Sequence, residues 1–148
     1  MDHKTIKNLN IIISEIKSKQ KETKIIAVSK TFAMSDIIPL INHGHIHYGE
    51  NKVQEAIEKW TDVKIKNNKI NLHLIGKLQT NKVKFALKIF DYIHSLDNEK
   101  LAKKIAEEQV KQNIKPKIFI QINLGNESQK SGIIKENLLD FYNFSKDL

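Results

Sequence analysis

At 148 residues, 40% hydrophobic and 28% charged, the chain is long enough for one domain with a real core and too apolar for a disordered tail. The absence of cysteine excludes disulfides, thiolate nucleophiles and cysteine-held zinc or iron-sulfur centres. The formal charge of +8 rests on 25 basic residues that are all lysine, and without the bidentate fork of arginine no specific nucleic-acid partner is expected.

The opening, Met1-Asp2-His3-Lys4, leads into an amphipathic segment, and no early apolar run approaches the ~20 residues of a membrane span, so the expected setting is cytoplasmic with no membrane partner. Residues 2–20 read as a helix, with Ile6, Leu9, Ile13 and Ile16 at helical spacing. A short β-branched strand follows at 24–28, ended by Ser29-Lys30-Thr31. Ser35 or Asp36 can cap a helix reaching Ile41, in which Pro39 is tolerable only near the first turn, and Gly44 is its expected stop.

The cycle repeats with a strand at 45–48 ending at Gly49 and a helix at 51–60, for which Asn51 fits as the cap. A connector at 64–69 leads to a strand at 71–75, closed by Gly76, and a helix at 80–89. A strand at 91–94 precedes a helix capped by Asp97, with Leu101, Ala102, Ile105 and Ala106 on its apolar face. The last elements are a strand at 117–123 and a helical segment at 135–144.

Five strands alternating with helices predict right-handed βαβ units and a parallel sheet. Two closures fit: an open doubly wound sheet, complete at this length, or part of an eightfold barrel, which usually needs ~250 residues. Periodicity alone prefers the open sheet. The chain has neither GxGxxG nor a Walker loop, so the usual nucleotide fingerprints are missing.

In either closure the loops at the carboxyl ends of the strands form the active face. Those exits are Ser29-Lys30-Thr31, Gly49-Glu50-Asn51, Gly76-Lys77-Leu78-Gln79, His94-Ser95-Leu96-Asp97 and Asn123-Leu124-Gly125. Lys30 is the sharpest candidate: the apolar approach Ile25 to Val28 is expected to lower its pKa, and a neutral amine attacks an aldehyde to form a Schiff base. The plain alternative is a lysine that snorkels to solvent.

Glu50 and Asn51 can orient a ligand, or Asn51 can simply cap its helix. His43, His45, His47, His73 and His94 raise the question of metal; His45 and His47 share a strand face, but no HExxH grouping accompanies them and no metal site is expected. His73 and His94 read equally well as satisfied core histidines. Gln79, Asn81 and Lys82 make a polar helix start that can receive an anion or be a solvated first turn. Ser29 lacks a visible histidine-carboxylate partnership, so no hydrolase is expected.

Five stretches in order carry a resemblance. They are Ala27-Val28-Ser29-Lys30-Thr31, Tyr48-Gly49-Glu50-Asn51-Lys52-Val53-Gln54-Glu55, His73-Leu74-Ile75-Gly76-Lys77-Leu78-Gln79-Thr80-Asn81-Lys82, His94-Ser95-Leu96-Asp97, and Gln121 to Gly125 with Ser128 to Gly132. Together they resemble the pyridoxal phosphate homeostasis protein family, whose members are similar to the barrel domain of alanine racemase.

The resemblance implies an N-terminal helix and about five βα units of a TIM-type barrel, incomplete within residues 1–148, with an open parallel α/β sheet as the alternative. It implies pyridoxal 5'-phosphate as cofactor, Lys30 as its Schiff-base lysine, Asn51 in its pocket, and Gly76, Gln79, Asn81 and Lys82 along the rim. The implied role is non-enzymatic, in vitamin B6 cofactor homeostasis. An amino-acid racemase or decarboxylase-like enzyme, and a half-domain acting only by association, remain as alternatives.

Leu72 and Lys77 depart from the Trp and His the family often has there. The family's phosphate grip, a serine- and methionine-rich strand end and an arginine-glycine turn, has no counterpart in these residues. A second polypeptide carrying the remaining part is therefore an expected partner.

Overall fold

The computed structural model describes residues 3–19 and 22–148. The first helix, α1 (Lys4–Lys17), buries Leu9 and carries the ring of His3 over its start, accepting from the Thr5 amide; positions 2 and 20 of the expected helix lie outside the described residues. The chain then alternates through β1 (Ala27–Val28), α2 (Met34–Asn42), β2 (His47–Glu50), α3 (Val53–Lys66) and β3 (Asn71–Leu74). A single 3-10 turn (Thr80–Lys82) leads into α4 (Val83–Ile89), followed by β4 (Tyr92–Leu96), α5 (Glu99–Gln112) and β5 (Lys117–Ile120). A separate parallel pair, β6 (Ile122–Asn123) with β7 (Ile133–Ile134), precedes a second 3-10 turn (Lys135–Asn137) and α6 (Leu138–Lys146).

The five main strands are all parallel and stand in the order β1-β2-β3-β4-β5. That order separates the two closures. A doubly wound sheet reverses direction at a switch point, whereas strands laid down strictly in sequence with right-handed crossovers keep their helices on one face. The fold is therefore an arc of α/β barrel, with β1 and β5 as its edges.

The core lies between the arc and its helices. Tyr48, Leu72, Leu74 and Ile93 from the strands meet Ile37, Trp60, Leu87 and Leu101 from the helices. Strand alternation turns the other set, His47, Gly49, His73, Tyr92, His94 and Phe119, to the inner face. Trp60 and Tyr48 are fully buried and pack ring to ring at 4.8 Å, and burial pushes the Tyr48 phenol above its ordinary range.

Several boundaries differ from expectation. β2 begins at His47 and runs through Gly49 to Glu50, because Gly49 pairs with Val28 on one side and His73 on the other. Only Ala27 and Val28 form β1, since residues 24–26 have no ladder partner in β2. Neither Ser35 nor Asp36 caps α2, whose cap position is Ala33, but Gly44 does end it at φ +92°. Asn98, not Asp97, caps α5, accepting from the Leu101 amide at 2.9 Å. α3 starts after Lys52, so Asn51 is not its cap, and it absorbs the start of the expected connector.

Candidate functional site

The first strand exit is a tight turn. Ser29 extends the β1 ladder by donating its amide to Gly49 O at 2.9 Å, and Phe32 N closes onto Ser29 O at 3.2 Å, leaving Lys30 and Thr31 at the two central positions. Thr31 has φ +68°, a conformation glycine takes freely and a β-branched residue takes only under constraint. Lys30 is exposed, and Val28 before it is 48% exposed. The buried apolar approach expected for Lys30 is therefore not formed: β1 is an edge strand and Val28 looks into the open side of the arc.

Beneath this turn sits a buried carboxylate. Glu50, fully buried, accepts through Oε1 from Ser29 Oγ at 2.8 Å, Lys59 Nζ at 3.0 Å and Trp60 Nε1 at 3.0 Å. Lys59 Nζ also donates to Ser29 O at 2.9 Å. Alternation along β2 sends Glu50 into the helix layer, where α3 presents Lys59 and Trp60 side by side; it does not face the inner side of the arc as a ligand-orienting group would.

The second and third exits are in contact. A Cβ added to Gly76 would lie 2.2 Å from Asn51 O and 2.8 Å from Asn51 Cα, so the two loops press backbone to backbone. Lys30 and Asn51 are each the second residue beyond the last paired partners, Val28 and Gly49, which sets both at the same rim. Lys30, Asn51 and Gly76 thus come from adjacent exits. The other three expected residues follow further along the third exit. Gln79 is exposed and precedes the 3-10 turn; Asn81 and Lys82 lie within it, and Asn81 lines a surface cleft with Glu99, Lys100 and Lys103 of α5.

Across the inner face runs a row of imidazoles. His47 Nδ1 and His73 Nε2 are 2.9 Å apart, as are His73 Nδ1 and His94 Nε2. His73 is buried, and burial, followed by the neighbouring His94 and His47, lowers its pKa to about 4. Burial also lowers His45, His47 and His94. A neutral His73 has one N–H, so if it donates to one neighbour it must accept from the other, and the row is polarised in a single sense. Because both nitrogens of His73 are used on rings either side, the row offers no common point to a cation. His45 does not join it; its ring turns to the His47 carbonyl at 2.8 Å. Tyr92 stacks on His73 at 4.2 Å, and Phe119 on His94 at 4.5 Å.

Along the free edge of β1 lies a cleft of about 470 Å³, walled by Leu9, Ile12, Ile26, Val28, Phe32 and Ile37. Among the described residues no helix is long and apolar enough to cross a membrane.

Comparison with known proteins places this arc. Residues 5–148 match the family model described as alanine racemase, N-terminal domain. The chain belongs to that family. Within it, the pyridoxal phosphate homeostasis protein of Pasteurella multocida is 35% identical over 133 residues, 90% of this chain and 57% of that protein. The protein of the same name from Aquifex aeolicus is 38% identical over 125 residues, 84% of this chain and 54% of that one. The structure of PipY from Synechococcus elongatus without PLP superposes with a TM-score of 0.79 at 31% identity, covering 90% of this chain and 62% of that chain; PipY with PLP bound gives 0.74. The chain spans little more than half the length of the curated relatives it matches.

Sequence reading singled out the lysine of this alanine racemase N-terminal arc but missed what lies under it. Lys59 and Trp60 had no visible signal beyond helical periodicity. The one available clue was a carboxylate at position 50, where alternation from the buried Tyr48 points a side chain into the core and so demands buried donors.

Proposed function

We propose that the chain is a non-enzymatic binding unit for pyridoxal 5'-phosphate, serving vitamin B6 cofactor homeostasis, with Lys30 as the attachment point. The observation that carries this reading is the rim itself: an exposed lysine in a constrained turn, at the level of Asn51, which is pressed against Gly76. The names of the relatives, and the PLP bound to PipY, supply the ligand class.

The residues present fit the aldehyde half of that group. The buried Glu50 takes its three bonds, from Ser29, Lys59 and Trp60, on Oε1, and the Lys30 amine stands at the surface. When bound, the cofactor supplies an aldehyde that condenses with a lysine amine, losing water. In this reading Asn51 and Gly76, in contact at the neighbouring exits, flank the bound group, and the exposed Lys77 brings positive charge to the same exit for the phosphate. Turnover of amino acids is not part of the proposal, since the chain has no arginine to anchor a substrate carboxylate.

The cleft along β1 favours one addition. An apolar groove beside an unpaired edge is suited to a further strand, and we assign it to a strand from the further length that relatives have beyond the matched region, in the same polypeptide or in a second one.

Borohydride reduction after mixing with pyridoxal 5'-phosphate, followed by peptide mapping, tests the central claim. Label should concentrate on Lys30 and vanish from that peptide in Lys30→Ala. Label spread over the surface lysines without preference would sink the proposal, and exchange of an amino-acid α proton in deuterated water would replace it with an enzyme.

A further inference from the structure

We infer that Lys59 is a positioning residue: bridging Glu50 and the Ser29 carbonyl, it holds the Lys30 turn in its strained form and thereby sets the reactivity of Lys30 toward an aldehyde. The inference rests on the reading of Lys30 as the attachment point.

The turn needs a constraint. Four residues, Ser29 to Phe32, are closed by the bond from Phe32 N to Ser29 O, and the third of them, Thr31, sits at φ +68°. Turns with positive φ at that position ordinarily use glycine or asparagine. A β-branched residue stays there only when its surroundings over-determine the backbone.

The surroundings do so through Ser29, each of whose polar groups is fixed. Its amide donates to Gly49 O, its hydroxyl to Glu50 Oε1 at 2.8 Å, and its carbonyl accepts from both Phe32 N and Lys59 Nζ. Lys59 is the common member, because the same Nζ that holds the carbonyl also lies 3.0 Å from the carboxylate that holds the hydroxyl. The pair is shielded from solvent, with the Lys59 side chain 16% exposed and Glu50 fully buried, so it is screened far less than a surface ion pair. Trp60, the next residue along α3, donates the third bond to Glu50 and packs on Tyr48, tying the clamp to the core.

Released from this clamp, the turn has conformers with Thr31 back at negative φ, and the Lys30 amine spreads over more positions. Reaction rates fall steeply with such loss of placement. A half-buried lysine thus governs the surface amine.

The test uses the 148-residue protein with pyridoxal 5'-phosphate and borohydride, reading the rate of Lys30 modification relative to the other lysines. Lys59→Met should lower that relative rate by about tenfold. Lys64→Met, which removes the pairing with Asp91 at the amino ends of β3 and β4, should leave it unchanged. Adding Thr31→Gly to Lys59→Met should restore it, because glycine takes positive φ at no steric cost and the turn then closes without the clamp. If Lys59→Met does not fold, Ser29→Ala, which removes only the hydroxyl arm, is read in the same way.

Selective labelling of Lys30 that persists in Lys59→Met overturns the inference and leaves the attachment reading intact. Absence of preference for Lys30 in the unaltered protein overturns the attachment reading itself. A loss in Lys59→Met that Thr31→Gly does not repair means general loosening of α3, and also overturns it.

Discussion

At position 76 a single methyl group decides whether two strand exits can touch. The Cβ of an alanine there would meet Asn51 O at 2.2 Å and two further Asn51 backbone atoms within 3 Å, and backbone cannot swing aside as a flexible side chain can. Gly76→Ala should therefore cost about 1–3 kcal/mol in urea unfolding and disturb labelling of Lys30. Gly44 is the informative contrast. Its φ of +92° strains an alanine, but nothing lies within 4 Å of the added carbon, so Gly44→Ala should cost about 1 kcal/mol and leave Lys30 untouched. Equal effects on labelling would remove the Asn51–Gly76 contact from the site. The contact itself was invisible in sequence, where Gly76 read as a strand stop and Gly44 as a helix stop; the difference lies in what approaches each one, and that depends on two loops brought together by the sheet.

At the level of elements, a one-residue difference in capping is open to measurement. Asn98 Oδ1 accepts the Leu101 amide, whereas Asp97 precedes the cap and is engaged sideways by the Asn98 amide. Asn98→Ala should lower stability by about 1 kcal/mol and Asp97→Ala by clearly less, read from thermal melts; the reverse order would return the cap to Asp97. Sequence reading points to Asp97 as the cap; Asn98 beside it has similar capping propensity, and only the direction of the entering chain chooses between them. Strand β2 shows the same limit. Its start and end moved two residues later because Gly49, a turn former by propensity, fits the narrow space between Ile26 and Ile75 and continues the ladder. The alternation of helices and strands was legible because hydrophobic spacing is a local signal. The barrel sense came from the five motifs and not from periodicity, which preferred the open sheet; the Glu50 clamp was not legible, since the carboxylate's partners lie 9, 10 and 21 positions away and meet only after α3 folds onto β2.

For the molecule as a whole, the arc leaves β1 and β5 as edges and couples its middle strands through imidazoles rather than hydrocarbon. The row His47–His73–His94 joins β2, β3 and β4, and His73, which must accept from one ring while donating to the other, has to be neutral for the polarised chain of bonds to persist. Global stability should therefore depend on pH in a defined window. The folded pKa of His73 is lowered from 6.5 to about 4, so between those values the unfolded chain binds the proton and the folded one resists it. Stability is full above the unfolded value, falls as pH drops through the window, and levels once the folded ring protonates. The loss from His73 amounts to about 2 kcal/mol by pH 5 and about 3 kcal/mol below pH 4, with His47 and His94 shifted in the same direction. Urea midpoints measured from pH 7 to pH 5, a range in which ordinary carboxylates remain largely ionised, isolate the imidazoles from general acid effects. The midpoint should fall across that range and the slope should flatten in His73→Gln; a midpoint independent of pH above 5 would mean that the row tolerates a charged ring.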